Sequence, residues 1–205
     1  MTDLDQKPRL RFKGFTEAWE QRKLEDLTSI KSGFMGDSLL NDGKYKLTRI
    51  ETISKGVIDI GRLGFSNIKP DDSFLLNKGD ILYSNINSLP YIGNVAIFDL
   101  NKPIYHGINL LRLIPNERIS SEYLFYSLTL NTSKSWAQCH ANKAVSQASI
   151  NQKSLMNLSL KVCGMVEQKK ISCLFKTLDS LITLHQRKCE KLKNLKKSLL
   201  ERMFI

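Results

Sequence analysis

The sequence predicts an α+β chain: a mixed or antiparallel, β-rich domain over residues 1–166, then a long C-terminal α-helix over residues 167–205. Three observations predict it. Short runs rich in Ile, Val, Tyr and Leu fill the middle of the chain, punctuated by Gly, Asn, Pro and Asp, and such runs read as strands. The intervals between them are too short to hold a helix each, which argues against a doubly wound α/β fold. From Ile171 onward apolar residues recur in steps of three and four, and no Pro or Gly interrupts residues 167–204. That is the pattern of one continuous amphipathic helix.

Residues 1–15, with PRLRFKGF, read as an extended basic arm. QRKLEDLTSIK (21–31) predicts a short helix ending at Gly33, and the Gly/Asn/Asp-rich SGFMGDSLLNDGK (32–44) predicts a loop. The strand candidates follow in order: KYKLTRIETI, GVIDI, GDILYSNI, GNVAIFDL and IYHGINLLRLI. SSEYLFYSLTLNTSKSWAQC (120–139) predicts a helix with Ser120 as its N-cap. HANKAVSQA reads as a polar loop without glycine. Ser149 with Gln152 three residues on fits a capping box that opens a short helix through Leu158. LSLKVCGMV returns to an extended, buried run before the long helix opens at Glu167.

In that helix Ile171, Leu178, His185, Leu192 and Leu199 form one heptad position, and Leu174, Leu181, Lys188, Leu195 and Arg202 the other. Phe175 and Ile182 widen the stripe at its start. The seam turns polar at His185 and Lys188, then leucine-rich again. At 1.5 Å per residue the rod is roughly 55 Å long. A leucine seam on a basic rod is not stable alone. The chain offers no second helix of that length, so the expected partner is another chain or another copy of this one. Polar seam residues fix register and partner choice, and His185 is read as such a residue, partly exposed.

The formal net charge is +11 with a pI of about 9.5. Residues 167–205 carry ten Lys/Arg against four acids, so the helix holds over half of the excess. A positive field of this size favours a polyanion, most simply DNA or RNA. Cys139, Cys163, Cys173 and Cys189 form no C-x-x-C pair and none stands at zinc-finger spacing from a histidine, so reduced thiols in a cytoplasmic protein are expected. The polar first twenty residues exclude a secretory signal, and no apolar window is long enough to span a membrane.

Catalytic patterns are weak. Gly36, Gly43 and Lys44 do not have P-loop spacing. SLPY (88–91) only echoes the Asn/Asp-Pro-Pro-Tyr/Phe motif of amino methyltransferases. Pro70 and Asp71 with Glu167 and Lys169 fit a nuclease pattern that is common by chance, and Glu167 more simply favours the helix dipole. Cys139 and His140, adjacent in sequence, point in different directions and make no dyad.

EQKKISCLFKTLDSLITLHQRKCEKLKNLKKSLLERMF closely resembles the helical spacer of specificity (S) subunits of type I restriction-modification systems. RFKGFTEAWEQRKLEDL (11–27) resembles that family's domain opening. NKGDILYSNINSLPYIGNVAIF (77–98) and INLLRLIPNERISSEYLFYSL (108–128) resemble its K-G-D-I-L and L-x-R-L-x-P segments. The resemblance covers essentially the whole chain, in order. Two departures stand out: one recognition domain and one spacer occur where the family typically has two of each, and GMVEQ lacks the usual proline before E-Q. The chain is thus expected to be a natural half-size subunit or the product of a truncated gene.

The resemblance implies a non-catalytic subunit with a DNA target-recognition domain (1–166) and a dimerisation helix (167–205). The helix would form an intermolecular antiparallel coiled coil through Ile171, Leu174, Leu178, Leu181, His185, Lys188, Leu192, Leu195 and Leu199. Two copies would read a bipartite palindrome in double-stranded DNA. A modification subunit with S-adenosylmethionine would methylate adenine, and a restriction subunit with ATP and Mg would cleave; this chain itself would bind no cofactor or metal. DNA contacts need cations and small polar groups at the ends of strands. The candidates are Lys31, Ser32 and Gly33; Lys44, Tyr45, Lys46 and Arg49; Ser84, Asn85 and Asn87; and Asn142, Lys143, Ser146 and Gln147. Tyr91 and His106 are weaker candidates. The competing readings are a truncated or regulatory S chain that pairs with another subunit without reading DNA, and a basic coiled-coil protein that binds nucleic acid without sequence preference.

Overall fold

The computed structural model describes residues 7–37, 40–53, 56–144 and 147–204. The chain divides into two compact units, Met1–Lys169 and Lys170–Ile205.

Every ladder between named strands in the first unit is antiparallel. β1 (Glu20–Lys23) pairs with β11 (Ser159–Val162), joining the two ends of the unit. The central sheet has the order β2 (Thr28–Ser32), β8 (Leu111–Pro115), β5 (Ile81–Tyr83), β7 (Val95–Ile97). β3 (Tyr45–Leu47) pairs with β4 (Gly64–Ser66), and β6 (Ile86–Asn87), β10 (Ala148–Ser149) and β9 (Asn142–Lys143) form a small third ladder. The core gathers Ile53, Leu63, Leu76, Leu82, Ala96, Phe98, Ile104 and Leu110.

Several local expectations are corrected. Residues 21–31 form β1, a 3-10 turn at Leu24–Asp26, and β2, not a helix. Leu24, Leu27 and Ile30 recur every third residue and are buried, which mimics a helical stripe, but the flanking backbone is claimed by β11 and β8. GVIDI does not form a strand; Asp59 caps a 3-10 turn at Ile60–Arg62 by accepting from Gly61 N (3.0 Å). The predicted helix at 120–139 is two helices, α1 (Ser121–Thr129) and α2 (Asn131–His140), parted at Leu130, whose backbone is extended. Ser120 does cap α1, its Oγ accepting from Tyr123 N (3.2 Å). Helix α3 (Gln152–Met156) is capped by Asn151, not by a Ser149 box: Asn151 Oδ1 accepts from Ser154 N (2.7 Å). The expected loop HANKAVSQA holds β9 and the first residue of β10, which pair as a hairpin.

Helix α4 runs over Met165–Met203, 39 residues, starting two residues before the expected position. Without a proline, the Gly164 carbonyl accepts from both Glu167 N (2.9 Å) and Gln168 N (3.0 Å) and closes the first turn.

Candidate nucleic-acid interface

The third ladder brings two sequence-predicted groups together. In register, Ala148 lies between Asn87 and Lys143, and Ser149 lies between Ile86 and Asn142. The hairpin closes through Ala144 N donating to Gln147 O (2.8 Å). Asn142, Lys143 and Gln147 are exposed. Ser146 lies outside the described residues.

The other half of this group supports the hairpin. Ser84 is fully buried, and its Oγ accepts from Asn87 Nδ2 (3.0 Å). Asn87 Oδ1 in turn accepts from Ser88 N (2.8 Å), so both ends of that amide are held. Asn85 exchanges backbone and side-chain bonds with Ile150: Ile150 N donates to Asn85 O (2.8 Å) and Asn85 Nδ2 donates to Ile150 O (3.2 Å). Ser84 and Asn85 are therefore positioning residues that fix where the hairpin sits.

The extended segment 105–107 lies beside the second group through isolated bridges. Phe34 bridges to Gly107, and Leu47 to Tyr105. Phe34 N donates to His106 O (2.8 Å), and Thr48 N to Tyr105 O (2.9 Å). Lys31 and Ser32 at the end of β2, Lys44 just before β3 and Lys46 within β3 are all exposed. Gly33 is a packing residue, because a Cβ there would run into the Gly107 backbone. Tyr45 is half-buried in an edge contact with Tyr105, ring centroids 6.0 Å apart. Arg49 is half-buried and its Nη2 donates to the carbonyls of Asp37 and Leu40 (both 3.4 Å). It lines an open groove of about 280 Å³ with Phe34, Asp37, Glu51 and Ile108.

Two further candidates part company. Tyr91 is exposed. His106 is buried, and its Nε2 lies 3.0 Å from the Leu110 carbonyl. A carbonyl only accepts, so the neutral ring carries its proton on Nε2. Burial pushes the His106 pKa down to about 4, the bond to Leu110 opposing and nearby Arg112 adding to the shift. Arg112 forms a buried ion pair with Asp80 (Nη2–Oδ2 2.6 Å) and donates from Nη1 to Ser73 O (3.1 Å). Burial raises the Asp80 pKa, against the pull of the Asn77 N–H and of Arg112.

The residues that open α4 were legible as a motif but not as a function. Arg11 from the N-terminal arm grips Glu167 with two bonds (Nε–Oε1 2.7 Å, Nη2–Oε2 2.8 Å). Gln168 is 1% exposed. Its Oε1 accepts from Ser120 N (2.9 Å), and its Nε2 donates to Arg118 O (3.0 Å) and Cys163 O (2.8 Å). Glu and Gln are needed here for different reasons: one supplies a bidentate carboxylate, the other an acceptor and two donors in a single side chain. Asp71, the other half of the nuclease-like pattern, accepts from Ser73 N (2.8 Å) as a turn cap.

Beyond Lys170 the seam of α4 lies open in the single chain. Leu174, Leu178, Leu181, Leu192, Leu195 and Leu199 are between 42% and 57% exposed. His185 and Lys188 are exposed and Ile171 is partly buried. An apolar stripe of this length in water marks an interaction surface.

A family model described as "Type I restriction modification DNA specificity domain" matches residues 16–194. The chain is 39% identical over 195 residues to a putative type I restriction enzyme MjaX specificity subunit of Methanocaldococcus jannaschii, covering 92% of this chain and 46% of the relative. Its fold is similar to the crystal structure of a type I restriction-modification S subunit from M. genitalium, with a TM-score of 0.61 and 20% identity, over 84% of this chain and 42% of the other. It is also similar to the HsdS subunit from Thermoanaerobacter tengcongensis, with a TM-score of 0.59 and 16% identity, over 85% and 41% of the two chains. The chain thus spans about half the length of the relatives it matches.

Proposed function

Because this chain belongs to the type I restriction modification DNA specificity domain family, we propose that it is a non-catalytic specificity subunit whose Met1–Lys169 unit reads one half of a bipartite DNA site. The observation that carries this reading is the hairpin over residues 142–149. It presents Asn142, Lys143 and Gln147 to solvent on a backbone held by Ser84, Asn85 and Ile150. Amides suit adenine edges and a lysine suits guanine or phosphate. A hairpin of two strands also fits the major groove. Lys31, Ser32, Lys44 and Lys46 are the phosphate contacts in this reading, and Arg49 orients the loop beside them. Tyr45, Gly33, Ser84 and Asn85 shape the surface from beneath.

Two copies joined through α4 would then read a symmetric site. The modification and restriction subunits, with S-adenosylmethionine, ATP and Mg, would supply methylation of adenine and cleavage. The test is co-expression with the neighbouring modification subunit in a methylation-free host, with adenine methylation mapped across the genome. Methylation at a symmetric bipartite motif is expected. A soluble complex that methylates nothing overturns the reading.

A second reading rests on the same exposed leucine seam of α4, which fits a non-identical partner helix as well: the chain pairs with a different S chain. An asymmetric motif, obtained only when that second chain is present, would favour it.

A further inference from the structure

We infer that the seam of α4 selects a single register with a second copy of this chain, antiparallel, with His185 opposite Lys188 of the second copy at the two-fold axis. The inference rests on the self-pairing reading above and adds the contacts that pairing must make. In antiparallel coiled coils one heptad position packs against the other kind across the seam. Centring the axis between His185 and Lys188 places Leu181 against Leu192 of the second copy, Leu178 against its Leu195, and Leu174 against its Leu199. Every one of these leucines is exposed in the single chain. Both polar layers then meet polar layers. Ile171 meets Arg202 of the second copy at the ends, where the arginine stem can cover it while its head stays in water.

The alternatives are worse by named contacts. A slip of one heptad in either direction puts His185 and Lys188 opposite leucines, which strands a cation in an apolar layer. A parallel pairing sets Lys188 against Lys188 of the second copy. It also sets Lys191 against Lys196 of the second copy on both flanks, and like charges held together repel. In the proposed register the same flanking lysines face apolar side chains: Lys196 lies nearest Phe175 of the second copy, and Lys191 nearest its Leu184. The pairing is isologous, so each favourable contact occurs twice.

The register is read by spin labels on the solvent side of the helix. Cys139, Cys173 and Cys189 are the exposed thiols and are first replaced by Ser in the full chain. Lys176→Cys and Glu190→Cys each then carry one label, and both positions face away from the seam. In the proposed register the two labels at 176 lie about 31 Å apart along the axis, and those at 190 about 10 Å apart. A one-heptad slip lengthens one of these separations and shortens the other by about 10 Å. Pulsed electron resonance distances that show the 176 pair about 20 Å further apart along the axis than the 190 pair support the inference. Level labels at both sites mean a parallel pair and overturn it, as does either slipped pattern, while self-pairing itself survives. A monomer in sedimentation velocity of the unlabelled chain overturns both the register and the self-pairing reading. As a second measurement, a mixture of Leu178→Cys and Leu195→Cys chains should crosslink where neither variant alone does. Crosslinking by a single variant alone again overturns the register.

Discussion

Arg112 and Asp80 are each under 5% exposed, with side chains at 3% and 4%. Charges taken this far from water are stable only as a matched pair. Arg112→Met leaves the Asp80 carboxylate buried without its cation, and a loss of about 3–5 kcal/mol is expected in urea denaturation. The double variant Asp80→Asn, Arg112→Met should recover much of that loss, because no unpaired charge remains. His106 gives the domain a pH dependence. The unfolded chain protonates this ring near pH 6.5, the ordinary value, and the folded chain near pH 4. Between the two the unfolded chain binds more proton, so stability falls as pH drops through that window, by up to about 3 kcal/mol. Denaturation at a series of pH values should show His106→Gln with a flatter profile than the parent. Gln168→Leu removes an acceptor and two donors from a buried site and strands Ser120 N, Arg118 O and Cys163 O. It should cost about 2–3 kcal/mol in the same assay.

Among elements, the β9–β10 hairpin and α4 are proposed to carry separate functions, and each can be tested alone. Lys143→Ala should lower DNA affinity for all sequences alike and reduce the slope of log K against log salt by about 1. Asn142→Ala should instead relax preference at one base position, with about 1–3 kcal/mol of lost discrimination in competition binding. A hairpin that plays no part in reading DNA would show neither effect. The sequence made these two elements unequally legible. α4 repeats its apolar pattern over more than four heptads, and local periodicity alone identifies it. The hairpin has two-residue strands and no alternating pattern, and it exists because β10 finds β6 some sixty residues earlier in the chain. The same cause explains residues 21–31. Their leucines have helical spacing, but β1 bonds to β11, more than 130 residues away.

For the molecule as a whole, the open seam and the positive charge make linked demands. Leu181→Asp puts a carboxylate into the leucine layer that faces Leu192 of a second copy, while position 181 itself is already 46% exposed in the single chain. The variant should therefore fold and run as a monomer in sedimentation velocity. Methylation by the co-expressed complex should be lost with it, since one reading domain would remain where the proposed bipartite site requires two. The sequence by itself determined the order of the parts, the single long helix with its polar midpoint, the excess of charge and the family motifs. Each of these is a property of neighbouring residues or of composition. Only the tertiary structure decided which polar residues face solvent. It showed Ser84 and His106 buried, Asn85 bonded to Ile150, Asn142 and Lys143 exposed, and the E-Q pair spent on Arg11 and the 118–120 loop. Those outcomes depend on partners as far apart as residues 11 and 167, brought together by strand pairing and burial, which no local pattern records.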